Sequence, residues 1–172
     1  MEKNIEISGK RNIDKINNIK NPSRKESNKW SIYDKIFNYK EQVEILNKLF
    51  LDEKGEKEIQ LEKDIIKKLK SYKNQDIIKK HIDLDIFISL CDCIELLVVS
   101  KLKCVFCKEN CLLIYKNIYD KKQWTLDRID NNYGHNHNNV SICCYECNIK
   151  RGDMNRDRFK KGKEIKIVRK QY

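Results

Sequence analysis

Two cysteine pairs, Cys104-Val-Phe-Cys107 and Cys144-Tyr-Glu-Cys147, are spaced to grip one tetrahedral ion. Thiolates hold Zn2+ at ~2.3 Å, and a two-residue spacer lets a knuckle or a helix start present two together. Four thiolates leave no open position, so the zinc they imply is structural. Cys143 could replace Cys144 if the register shifts by one, whereas Cys91, Cys93 and Cys111 read as buried apolar residues. The oxygen and nitrogen donors lie between the pairs or just after them: Asp127 in "QWTLDRID", His135 and His137 in "NNYGHNHNN", and Asn148 directly after Cys147. Asp127 and Asn148 can both supply oxygens to a hard divalent cation such as Mg2+, which keeps several waters. Arg128 stays protonated and cannot act as a base; its chemistry suits clamping an anionic oxygen. A histidine, with an ordinary pKa of ~6.5, suits proton transfer. His135 follows the turn glycine Gly134 and is favoured over His137, and water activated by the metal alone is the remaining choice.

These residues need positioning. The 36 residues between the cysteine pairs exceed an ordinary zinc-ribbon spacing, so a folded element must lie there. "CLLIY", "QWTL" and "VSIC" read as strands, "NNYGHNHNN" as a loop, and "CYECNIKRGDMN" as a helix with Gly152 near its end. The zinc would then fix the helix that presents Asn148. Upstream the texture is helical. One helix is expected from Ser31 or Asp34 onward, with Ile36, Phe37, Val43, Leu46, Leu49 and Phe50 as its apolar positions, mostly at steps of three and four. A second is expected from about Glu58 to Tyr72, with Ile59, Ile65, Ile66 and Leu69 together. A third, buried one is expected in "DLDIFISLCDCIELLVVS", residues 83–100. The expected class is α+β, an N-terminal helical region followed by a small zinc-stapled unit. The expected divisions are a flexible arm over 1–29, a helical module over 30–100, the zinc-bound unit over 101–158 and a basic tail over 159–172.

The combination of CxxC, "LDRIDN…GH…N" and a CxxCN helix start resembles the zinc-stapled HNH endonucleases over residues 104–153, under a third of the chain. The wording "QWTLDRIDN…GHN" is also similar to proteins of large DNA viruses, which would place the chain in a host cell. The resemblance implies a ββα-metal fold holding one divalent cation, normally Mg2+, and hydrolysis of DNA phosphodiester bonds. It assigns Asp127 and Asn148 to the cation and Asn139 to bracing the loop. It also marks a departure: Arg128 stands where the family carries its water-activating histidine. A zinc module that binds nucleic acid without cutting it is the alternative, and a protein-interaction domain stapled by zinc is a third.

Charge bears on the partner. The 172 residues carry a formal +11. Residues 1–100 hold 20 basic and 18 acidic side chains, while residues 101–172 hold 17 and 8, so the excess sits in the cysteine-rich half. Lys150, Arg151, Arg156, Arg158, Lys160 and Lys161 lead a basic run suited to a phosphate backbone, double-stranded DNA being the expected partner. "KEIKIVRK" is expected as a final strand. No apolar run approaches the ~18 residues of a membrane span, and the N-terminus lacks the apolar segment of a signal peptide. A soluble, reducing intracellular setting is therefore expected, with the cysteines as thiols rather than disulfides. The near-neutral helical half is the candidate dimerisation surface; the oligomeric state is left open.

Overall fold

The computed structural model describes residues 30, 33 and 35–165. The expected arm over 1–29, the helix-start candidates Ser31 and Asp34, and residues 166–170 of the expected final strand (163–170) lie outside them; Lys163 and Glu164 of that strand belong instead to a helix that ends at Glu164. Helix α1 (Tyr39–Phe50) begins at Asn38, whose side chain accepts from Lys40 N at 3.0 Å. That cap satisfies an end donor that the helix itself cannot pair. It also leaves Ile36 and Phe37 in the preceding turn rather than in the helix. Helix α2 (Glu56–Lys79) buries Leu61, Ile65, Leu69, Tyr72 and Asp76, one stripe at steps of three and four. It runs past the expected end at Tyr72 and stops where Lys80 turns left-handed at φ 58°. Ile59, expected on the apolar side, is exposed.

Helix α3 (Leu90–Val99) is shorter than the 83–100 segment suggests. Ser89 and Asp92 form a reciprocal capping box that fixes its start. Before it, Phe87 bridges to Asn136 instead of continuing a helix. Cys93 is buried as expected of it, but Cys91 is exposed.

The sheet has two antiparallel strands, β1 (Trp124–Arg128) and β2 (Val140–Cys144), with Asp127 opposite Ser141 and Thr125 opposite Cys143. "CLLIY" forms no strand; it makes one bridge, Leu112 to Gln123. The reason is Gln42 of α1, which is fully buried. Its Oε1 accepts from Leu113 N at 2.8 Å and Ile114 N at 3.2 Å, and its Nε2 donates to Ile114 O at 3.0 Å. One side chain thus satisfies the backbone groups that a neighbouring strand would pair.

Helices α4 (Tyr145–Arg151) and α5 (Arg156–Glu164) close the chain. Gly152, at φ 50°, ends α4 in a backbone region few other residues adopt. Helix α5 runs across the expected division at 158/159, and Phe159 packs edge-on against Phe106 with ring centroids 5.0 Å apart. Side chains from both sides of residue 100 share one buried cluster. Helix α2 lies along the free edge of β1, where the Tyr72 hydroxyl accepts from Leu126 N at 3.1 Å. The fold is mixed, with helices around a small antiparallel hairpin, and is compatible with the α+β class. No helix among the described residues is long and apolar enough to cross a membrane.

Candidate metal centre and the buried polar cluster beside it

The Sγ atoms of Cys104, Cys107, Cys144 and Cys147 lie within 4.8 Å of one another, with Cys107 and Cys144 3.9 Å apart. Tetrahedral zinc at ~2.3 Å from each sulfur requires edges of about 3.8 Å. The four cysteines therefore fit such an ion and could hold it. Local structure explains the convergence. Lys108, at φ 63°, turns the chain so that its N–H bonds Cys104 O at 3.0 Å, and Val105 N ties the knuckle to Ile142 O of β2 at 3.0 Å. Cys144 is both the last residue of β2 and the N-cap of α4, and Cys147 lies in the first turn that follows.

The register alternative resolves in favour of Cys144. Cys143 turns to the other face, where its Sγ meets Thr125 Oγ1 at 3.1 Å and burial raises its thiol well above the ordinary range. Cys111 is fully buried beside Cys104. Hydrogen bonds from Cys111 and Cys144 lower the Cys104 thiol, while burial pushes Cys147 up to about 12. Left to themselves the thiols share protons; a dication in their midst needs all four as thiolates, so its binding releases protons.

The hairpin and α4 enclose a second cluster. Thr125 and Asp127, two residues apart on β1, share a face, and Asn148 and Arg151, three apart on α4, share another. The two pairs interlock: Asn148 Nδ2 donates to Thr125 Oγ1 at 3.1 Å, and Arg151 Nη1 donates to Asp127 Oδ1 at 2.7 Å. Asp127 is 2% exposed and Arg151 4%. Arg151 also donates to Arg128 O at 2.8 Å and to Ile129 O at 3.3 Å. Burial raises the Asp127 carboxyl pKa, and the hydrogen bond and charge of Arg151 oppose that shift. Three buried polar atoms here lack partners: Asp127 Oδ2, Ser141 Oγ and Arg151 Nε. Ser141 is the cross-strand partner of Asp127, so its side chain leaves the sheet on the same face, with Cβ atoms ~5 Å apart. Buried polar groups are almost always paired, by protein, water or an ion.

Arg151 is therefore no exposed phosphate contact but the internal counterion of Asp127. Its i+3 spacing from Asn148 is the sequence signal that would have found it. Arg128 is half-buried, and its Nη1 donates to Tyr133 O at 3.1 Å and Asn131 O at 3.4 Å, closing the 129–139 loop. Asn139 spans the same loop: Nδ2 donates to Asp130 O and Gly134 O, each at 2.9 Å, and Oδ1 accepts from Asp130 N at 2.9 Å.

Neither histidine contacts Asp127 among the described residues. His135 is buried on the helical side of the loop, where its Nδ1 lies 2.8 Å from Asp76 Oδ1 and its N–H donates to Asp76 Oδ2 at 2.6 Å. Its ring lies 4.5 Å from that of Tyr72. Burial lowers its pKa from the ordinary 6.5, against the raising effect of Asp76. Asp76 was invisible as a site residue from sequence, although it continues the buried stripe of α2. His137 is exposed and sits 3.3 Å from Asp92. Of the other expected phosphate contacts, Arg156 is half-buried, while Lys150, Arg158, Lys160 and Lys161 are exposed. Lys150 is bound to Glu146 at 2.8 Å.

No protein-family model, curated protein or solved structure matches the chain.

Proposed function

We propose that this chain is an HNH-like DNA endonuclease whose thiolate zinc is structural and whose chemistry is centred on Asp127. The observation that carries the reading is the buried Asp127 Oδ2 without a partner, on the face of β1 that meets the cysteine-anchored helix. A lone carboxylate oxygen, with Asn148 Oδ1 also without a partner among the described residues, fits a hard cation that takes its remaining ligands from water and phosphate. Such a cation, when bound, neutralises phosphoryl oxygens and stabilises the leaving oxygen. Asp127 and Asn148 would hold it. Arg151 fixes the orientation of Asp127 through Oδ1 and leaves Oδ2 for the site. The exposed Arg158, Lys160 and Lys161 on α5 supply phosphate contacts that position the duplex without reading its sequence.

The test is nicking of supercoiled plasmid with Mg2+ or Mn2+. Wild type is expected to nick and Asp127→Ala to lose that activity; full activity in Asp127→Ala refutes the assignment. A second reading, a zinc module that binds nucleic acid without cutting, is favoured by the Arg151 guanidinium already neutralising Asp127. Salt-sensitive DNA binding with no nicking by wild type over both metals selects it.

A further inference from the structure

A pocket of about 550 Å3 lies between α2 and the 113–118 segment, with Trp124 at the start of β1, well within the range of small-ligand sites. Its lining is mostly apolar, from Trp30, Ile65, Ile114, Tyr115, Ile118 and Trp124, and Lys68 enters it from α2. The Lys68 ammonium donates to Trp124 O and sits 4.4 Å from the centroid of the Trp124 ring and 5.7 Å from that of Tyr115. No carboxylate among the described residues pairs with it. Burial lowers its pKa to about 7. A charge without a counterion in an apolar setting is costly, and packing alone would be served by an uncharged side chain.

The geometry points to this pocket as a binding site for an unstacked nucleobase, its ring enclosed by Trp124, Tyr115 and Ile118 and a ring carbonyl oxygen accepting from Lys68 Nζ. The inference rests on the nucleic-acid reading but not on cutting. Phosphate is the poorer fit. It needs several donors to replace its hydration, whereas Lys68 is the ammonium inside, and Lys67 and Ser71 line the exposed rim along with the Asp64 carboxylate. That carboxylate is held by Trp30 Nε1 at 3.1 Å and Gln60 Nε2 at 3.3 Å. A neutral carbonyl asks for a single donor, and flat aromatic walls suit any base.

The experiment uses the zinc-loaded protein with two probes: a short oligothymidylate and an abasic strand of equal length built from tetrahydrofuran analogues, which carry no aldehyde to condense with amines. Formaldehyde with cyanoborohydride at neutral pH labels unprotonated amines, and peptide mapping reads the rate at Lys68. Lys68 is expected to react ahead of the surface lysines. Oligothymidylate is expected to slow that labelling at least ~10-fold and the abasic strand to leave it unchanged, the loss of one base contact being about 5- to 150-fold in affinity. Lys68→Met, which keeps the stem, is expected to weaken oligothymidylate binding within that range and spare the abasic strand. An unreactive Lys68, or equal protection by both probes, overturns the proposal. Loss of nicking in Asp127→Ala, or its absence in wild type, leaves this outcome untouched.

Discussion

Arg151→Met tests whether Asp127 is held by an internal cation alone or can also hold a metal. The substitution keeps the aliphatic stem and removes a guanidinium whose side chain is 3% exposed, against a carboxylate 2% exposed. Breaking a buried pair from one side costs about 3–5 kcal/mol, because it strands the other charge. The carbonyls of Arg128 and Ile129 also lose their Arg151 donors, which favours the upper end of that range. For a chain of this size the cost corresponds to a fall of roughly 6–20 °C in Tm. Asp127→Asn in the same background removes the stranded charge, so the double variant should recover about 2 kcal/mol. The pH dependence has a definite sign. Without Arg151 the Asp127 pKa rises further above 3.8, so the folded state binds more protons than the unfolded one in that window. Stability of the single variant therefore improves as pH falls through the raised pKa toward 3.8. Urea melts with and without millimolar Mn2+ complete the test. Mn2+ should restore part of the loss in Arg151→Met and none in the double variant. A cost below about 1 kcal/mol refutes the buried pair, and a cost that Mn2+ leaves unchanged refutes Asp127 as a cation ligand.

Three further outcomes follow from single contacts. Gly134→Ala places a Cβ 2.5 Å from His81 O and 2.8 Å from Asp76 Oδ2, and thermal melts should show a loss of ~1–3 kcal/mol; a loss under about 0.5 kcal/mol contradicts the close approach. Cys107→Ser should abolish tight zinc binding, metal analysis finding about one ion per wild-type chain and none in the variant; zinc retained by the variant overturns the ligand set. The His135 pKa is lowered by burial below the ordinary 6.5, so around that pH the folded state binds fewer protons than the unfolded one. Stability should fall as pH drops below 6.5, and an NMR titration that finds His135 above 6.5 reverses that sign.

What was legible in the sequence was set by local spacing. The cysteine pairs needed only the two-residue spacer, and the hairpin strands showed in "QWTL" and "VSIC" on either side of an asparagine-rich loop. Helix α3 is shorter than its apolar segment suggests because the Ser89–Asp92 capping box, not the apolar content of residues 83–88, sets its start. What was not legible came from side chains acting across the fold. Gln42 satisfies the backbone of "CLLIY" from some seventy residues away, so a strand-like stretch has no strand partner. Asp76 holds His135 from α2, fifty-nine residues away, a contact that local spacing does not show. The basic run could not reveal that Arg151 turns inward, since a charge count carries no direction.

The arginine beside Asp127 in sequence and the one beside it in space are different residues, and that ties the two halves of the site together. Arg128 follows Asp127, but residues adjacent on a strand point to opposite faces, and its guanidinium closes the loop. Arg151 arrives from α4, a helix of seven residues. A helix that short has little stability of its own in water, so its orientation comes from its ends. Cys144 and Cys147 place the first turn at the four-cysteine cluster, and Arg151 holds the last on Asp127. With zinc as the ion of that cluster, as proposed, its removal should release Arg151 as well, and with it the neutralisation of a buried carboxylate. Zinc-depleted protein should then show the same change in pH dependence as Arg151→Met, with stability improving as pH is lowered toward 3.8. If zinc removal leaves the pH dependence unaltered, α4 is positioned by packing alone, and the metal centre and the Asp127 cluster are independent.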